Sequence, residues 1–362
     1  MPKILKGHLI ALFAFDIGFE ISLDKLNTLP ASMAAPPLSK KKQTPAYLQY
    51  TVPPRIVGLG EVDAVAGRQG LSQATLFHFG AASIAYQWTI SSEGGFDLED
   101  LPKLSSDLYS HNLEDRARKQ IEKLTSDIQS AIVRPEVAPL MEDYYLFIIE
   151  ELDQPLRAKD LLSESRSTLA QVLRFETLPL SPDHQEEALN QRLSYYENDL
   201  VIVDWNAAII YDRDYWDTVN VLELLNVELL EARYIDAQLD KRMGDYEGLV
   251  LKRADWLVPV RTPYKKLMYQ LAELRLEALL LNERVDNALK LIGDLYLARV
   301  HAAAAKRLYL QEWETAISRK LDIIDSLYQL LTDRVRNAQS QTLELVVIAL
   351  ILVEIIIAIV AR

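Results

Sequence analysis

The chain contains no cysteine. That single absence removes disulfides, thiolate nucleophiles, iron–sulfur clusters and Cys-ligated zinc from consideration. Positive charge is also scarce: 39 Lys and Arg stand against 52 Asp and Glu, for a formal charge of −13. Nucleic-acid affinity is supplied largely by Lys and Arg neutralising phosphates, so this balance opposes such binding as the main activity. Glycine motifs fail as well. "GLGEVD" starts like a dinucleotide fingerprint at Gly58 and Gly60, but Asp63 occupies the third glycine position, and neither a P-loop nor a Gly-x-Ser-x-Gly elbow occurs. The five histidines, His8, His78, His111, His184 and His301, form no pair at metal-ligand spacing. No metal and no cofactor is therefore expected.

What is present is enough apolar residue for a sizeable core: 49% of 362 residues, which suggests two folded units. The start, "MPKILKGHLIALFAFDIGFEISL", superficially resembles a secretory leader, but Asp16 and Glu20 interrupt it and it reads as a strand. It also lacks the Arg-rich, acid-poor character of a transit peptide, which favours a prokaryotic protein.

The end of the chain reads differently. From Leu343 to Val360 every residue is apolar except Glu344 and Glu354. Eighteen residues at 1.5 Å each cover roughly 27 Å of a hydrocarbon core about 30 Å thick. Fourteen Leu, Ile or Val residues contribute on the order of 4 to 8 kcal/mol to insertion, against about 2.5 to 3.5 for one central acid such as Glu354. The apolar residues surround the helix rather than striping it, which argues against a helix lying on a membrane surface. The expectation is a C-terminal transmembrane anchor; the alternative is the buried core helix of a soluble oligomer. Arg334 and Arg336 precede the run and only Arg362 follows it, which places the body in the cytoplasm, on a bacterial inner membrane. Membrane lipid is the implied partner, and Glu354 is a candidate for self-association.

Upstream, Leu267, Leu271, Leu274 and Leu281 begin one heptad seam, and Ile317, Leu321, Ile324 and Leu331 mark a second. Gly293 and Asp294 between them suggest a turn, hence an antiparallel helical hairpin, with one continuous coiled coil as the alternative. Such seams imply a homo-oligomer.

Residues before about 250 mix helix and strand signals. Strands are expected over Thr75 to Trp88, Tyr144 to Leu152 and Asp199 to Asp212. Helices are expected over Leu113 to Ile132, Ala158 to Phe175, Pro182 to Tyr195 and Tyr215 to Met243. The fold class is thus α+β. Residues 1–35 form a strand region, 36–47 a basic Pro-rich linker, 48–250 the α+β body, 251–340 the helical hairpin and 341–362 the anchor.

Within the body, Glu223, Asn226, Arg233 and Asp236 fall along one face of a helix, with Glu231 elsewhere around its axis. That line is either a carboxylate-lined pocket, with a divalent-metal site as one form of it, or a solvated face of surface ion pairs. Together with Asp204, Trp205 and Asn206 these residues form the candidate functional surface, and no catalytic residue is assigned.

The stretches "YYENDLVIVDWNAAIIYD" and "LELLNVELLEARYIDAQLD", then "GDLYLARVHAAAAKRL" and the apolar end, resemble the family named for a yeast requirement in meiotic nuclear division, whose bacterial members are called YagE-type. The resemblance covers roughly residues 75 to 360. Its carriers are Asp204, Trp205 and Asn206, then Glu223, Asn226, Leu229, Leu230, Glu231, Arg233 and Asp236. It implies a membrane-associated assembly or tethering factor with no established catalytic residues. One eukaryotic member supports translation at the mitochondrial inner membrane, a role that does not transfer to a chain without a transit peptide. The combined expectation is a membrane-anchored, oligomeric, non-enzymatic scaffold, with an enzyme or ligand sensor using the carboxylates as the alternative.

Overall fold

The computed structural model describes residues 2–28, 52–90, 94–251, 269, 272–273, 275–276 and 295–360. They divide into two compact units: Met1–Arg233 with Glu283–Gln311, and Tyr234–Asn282 with Glu312–Arg362.

The first unit is built on one mixed sheet. Its central strand β1 (Lys3–Asp16) pairs antiparallel with β5 (Ala81–Ile90) on one side and β8 (Met141–Leu152) on the other. Beyond β5 lie β4 (Arg68–Leu76) and β3 (Arg55–Val65). Beyond β8 lie β11 (Ala207–Tyr211), β10 (Leu200–Val203) and β9 (Gln191–Leu193). Among the described strands only the β8–β11 pairing is parallel. Short β6 (Phe96–Asp97) also joins β1, and β2 (Glu20–Ile21) pairs with β7 (Ile132–Val133) in a separate ribbon. A strand buried on both faces loses polar alternation and becomes nearly all apolar. That is why β1 looks like a leader peptide in the sequence and is a core strand in the fold.

Alternation of side chains sorts the sheet into two faces. Leu9, Ala11, Phe13 and Phe15 of β1, with Ile84, Tyr86 and Trp88 of β5 and Tyr145 and Phe147 of β8, meet five helices: α1 (Leu101–Ser110), α2 (Leu113–Asp127), α3 (Ala158–Glu164), α4 (Arg166–Arg174) and α5 (Pro182–Ala188). Each large side chain so enclosed contributes about 1.5–3 kcal/mol. The opposite face meets α6 (Trp216–Leu251), whose Leu224, Val227 and Leu230 pack on Ala14, Phe77, Phe79 and Ala81. Helix α7 (Leu295–Arg307) packs on β9 and β10, burying Leu297, Val300 and Ala304. The β4–β5 turn requires Gly80: its φ is +102°, and a Cβ there would sit 1.8 Å from the Gly18 carbonyl oxygen.

The α+β class is borne out, with three local corrections. The stretch Asp199 to Asp212 is a hairpin, not one strand, because the chain reverses at Trp205 and Asn206 between β10 and β11. The stretch Thr75 to Trp88 spans parts of two strands with a turn at Phe77 to Gly80. Helix α5 ends at Ala188, and the residues expected to continue it form β9, which pairs with β10.

In the second unit, α8 (Leu310–Val360) carries Ile317, Leu321, Ile324 and Leu331. Ile324 is buried, Ile317 and Leu321 are half-buried, and Lys320 sits on the same stripe. Leu267, Leu271, Leu274 and Leu281 lie outside the described residues. The expected transmembrane helix needs correction on length. Among the described residues no helix is long and apolar enough to cross a membrane. The apolar run whose side chains are described, 343–359, covers about 26 Å, short of the roughly 30 Å of a hydrocarbon core. Every residue of that run is exposed.

Candidate functional site

The residues singled out in the sequence separate into three places. At the end of β10, Asp204 is wholly buried and its carboxylate faces two arginines. Arg307, in the last turn of α7, donates from Nε to Oδ1 at 2.7 Å and makes a second, short contact through Nη2. Arg174, at the end of α4, brings Nε within 2.7 Å of Oδ2 as an ion pair, without the alignment of a hydrogen bond. Both guanidiniums also reach Glu187 Oε1, at 3.1 and 3.3 Å. Those bonds, Arg174 foremost, hold the Glu187 carboxyl below its ordinary range. Two cations and two carboxylates therefore close a neutral unit at the end of the hairpin. Charge-assisted pairs of this kind fix geometry as well as energy.

The hairpin itself is pinned from below. The Tyr144 hydroxyl donates to the Asp204 carbonyl oxygen at 2.9 Å and lies 3.0 Å from that of Ala207, while the Tyr145 N–H donates to the Asn206 carbonyl at 2.9 Å. Trp205 is left at the surface, 41% exposed, its ring 5.8 Å from that of Tyr309. Tyr309 has a left-handed backbone (φ 56°) in the turn between α7 and α8. Sequence reasoning marked Asp204, Trp205 and Asn206 but missed Arg174, Glu187, Arg307 and Tyr144.

The second place is the underside of α6. Asn226 and Arg233, two helical turns apart, both reach Glu142 on β8. The Asn226 amide donates to the Glu142 carbonyl oxygen at 3.1 Å, and Arg233 makes a short ion pair with its carboxylate. Burial pushes the Glu142 carboxyl up to about 7, outweighing the pull of Arg233 in the other direction. Glu223 and Glu231 are buried on the same helix. So is Glu228, whose Oε2 lies 3.2 Å from His301 Nε2 on α7.

The third place, in the second unit, holds Asp236. It shares Lys320 with Asp240, each carboxylate 2.6 Å from the ammonium. The single polar face read from spacing is thus divided: Asn226 and Arg233 converge, while Asp236 serves a different contact. Among the described residues no group of three or more His, Asp or Glu could hold a metal ion.

A family model described as "Uncharacterized protein MJ0711, N-terminal domain" matches residues 6–217. The curated "Uncharacterized protein MJ0711" of the archaeon Methanocaldococcus jannaschii is 26% identical over 239 residues, covering 66% of this chain and 72% of that protein. No solved structure matches. These matches overturn the resemblance to the meiotic-nuclear-division, YagE-type family. The residues that suggested it, a Trp-bearing hairpin turn and an acidic helix, have local structural reasons of their own. The match ends at Asp217, within the first turn of α6, so it spans nearly all of the sheet and the five helices on its first face.

Proposed function

The chain belongs to the MJ0711 N-terminal-domain family, and from that premise we propose that it is a membrane-anchored, oligomeric, non-enzymatic tethering protein. The observation that carries this reading is the end of α8. Between Leu343 and Ile359 thirteen Leu, Ile and Val side chains are exposed around the whole helix, interrupted only by Glu344, Ala349, Glu354 and Ala358. A monomer in water rarely leaves an apolar surface of that extent open. A lipid hydrocarbon would cover it, and a helix satisfies its own backbone there. Val360 and Ala361 continue the run in the sequence to nineteen residues, inside the roughly 17–25 of known spans.

Arg334 and Arg336 before the run orient the body to the cytoplasmic side of a prokaryotic membrane. Glu354 within the run supports self-association, since an intramembrane carboxylate usually faces a protein partner. The sheet unit then offers its exposed surface, including Trp205, to a protein partner.

The test is carbonate and detergent extraction of membranes bearing the full chain or a version ending at Gln341, followed by mass measurement of both. The full chain is expected in the membrane pellet until detergent releases it, and the shortened chain in the supernatant with the same oligomer mass. A full chain that purifies as a monomer without detergent overturns the proposal.

A further inference from the structure

On the sheet unit, away from the Asp204 network, a cleft of about 330 Å³ opens between α3, β9 and the loop leading into β10. Leu162, Leu193 and Leu200 form its apolar floor, and Arg157, Lys159 and Arg192 stand around it. Glu197 is the one carboxylate in the lining, so the cleft carries a net charge of +2 on a chain whose total is −13. Each guanidinium is only partly engaged: Arg157 stands 3.6 Å from Glu197, and Arg192 stands 3.6 Å from Glu186 and donates through Nη1 to the Leu189 carbonyl oxygen at 2.9 Å, which leaves further N–H groups on each fork. Lys159 is exposed at the rim.

The wall bearing Tyr196 is fixed in place. Asp199 accepts hydrogen bonds from the backbone N–H groups of Tyr195 and Tyr196, both at 2.7 Å, and the Ala158 N–H donates to the Glu197 carbonyl at 2.7 Å. The Tyr196 ring stands edge-on to that of Tyr195, 4.7 Å away, which in turn lies 5.5 Å from Tyr296. A flat, exposed ring is thereby held beside an apolar floor and three cations.

We infer that this cleft binds a phosphate monoester borne on a planar ring, the chemistry of a nucleoside 5′-monophosphate. A phosphate monoester carries about −1.5 to −2 at neutral pH, which matches the charge of the lining. Planar arginine forks and a lysine point charge suit its oxygens. The Tyr196 ring and the leucine floor suit the base, since aromatic stacking accepts any of the four. The volume lies at the small end of ligand pockets and has room for one nucleotide.

The test is isothermal titration calorimetry of the full chain in detergent micelles with AMP, GMP, CMP and UMP, beside inorganic phosphate and adenosine. All four nucleotides are expected to bind below about 1 mM, with phosphate and adenosine each at least about tenfold weaker. Lys159→Glu and Tyr196→Ala, both at exposed positions and each checked by thermal melting for an intact fold, are each expected to weaken AMP about tenfold or more. Absence of binding overturns the inference. So does binding unaffected by both substitutions, or phosphate alone binding as tightly as the nucleotides. Because micelles are used throughout, none of these outcomes depends on whether α8 anchors the chain.

Discussion

The underside of α6 and the far end of α8 depart from ordinary residue sorting in opposite senses. Beneath α6, Glu142, Glu223, Glu228 and Glu231 are buried, as is Asn226. At the end of α8, thirteen aliphatic side chains are exposed. The first arrangement persists because the chain provides partners itself: Arg233 and Asn226 for Glu142, His301 for Glu228. At the end of α8 no described residue covers 343–359. Buried charge is tolerated where it is answered, and exposed apolar surface marks where an answer is awaited. Each half of that contrast can be broken by substitution.

The largest effect is expected at Asp204. Replacing it by Ala leaves Arg174 and Arg307 facing each other at the end of β10 with Glu187 alone between them, and removing one partner of a buried ion pair typically destabilises by about 3–5 kcal/mol. Urea unfolding of Asp204→Ala should show a much lower midpoint than wild type, and Asp204→Asn, which keeps an acceptor oxygen, a smaller drop. A loss under about 1 kcal/mol for the Ala variant would mean that the arginines find water in place of the carboxylate.

Glu142 comes next and has a sign that can be worked out. Its carboxyl titrates near 7 in the folded chain against an ordinary 4.5. Between those values the folded chain holds a proton that the unfolded chain has released. Stability from this group is therefore full below about pH 4.5 and declines until pH 7, by up to about 3 kcal/mol. Thermal melting of wild type and Glu142→Gln between pH 4.5 and 8 should show the difference between them changing across that window and flat above it. A difference independent of pH would remove Glu142 as the titrating group, since Asp143 and Asp212, also pushed up by burial, remain in both chains.

How much of this was legible depended on distance along the chain. Asn226 and Arg233 share a helix face, so their convergence follows from helical period alone. Their target on β8 does not, because Asn226 and Glu142 lie 84 residues apart. The Asp204 network is less accessible still: Arg307 is 103 residues away, and no spacing rule joins a strand end to a helix end. The β10–β11 hairpin was hidden because both strands are buried and apolar, and its turn carries Trp205 and Asn206 instead of glycine. Helix α4 was separated from α3 at Ser165, a break the apolar periodicity of residues 158–175 does not betray. The α+β class was readable because β1 and β8 carry long aromatic and β-branched runs, whichever neighbours they pair with.

The smallest effect sharpens the contrast, because it concerns charges neither enclosed nor open. Lys320 on α8 bridges Asp236 and Asp240 on α6, with Asp240 largely solvated. Burial pulls the ammonium pKa down, but the hydrogen bonds it donates to the two carboxylates outweigh it and hold the group protonated above its ordinary value. Solvent screens such a pair, so Lys320→Ala is expected to destabilise by only about 0.2–1 kcal/mol. Part of that difference should vanish in 1 M salt, where the screening length falls to about 3 Å, comparable to the 2.6 Å separations. Guanidinium chloride would mask the effect through its own ionic strength, so urea titrations at low and high salt are the appropriate measurement. If the loss is instead several kcal/mol and indifferent to salt, the pair behaves like Asp204 and belongs among the enclosed charges. If nothing is lost at either salt concentration, the half-buried stripe of Ile317, Leu321 and Ile324 holds this part of α8 without help from Lys320.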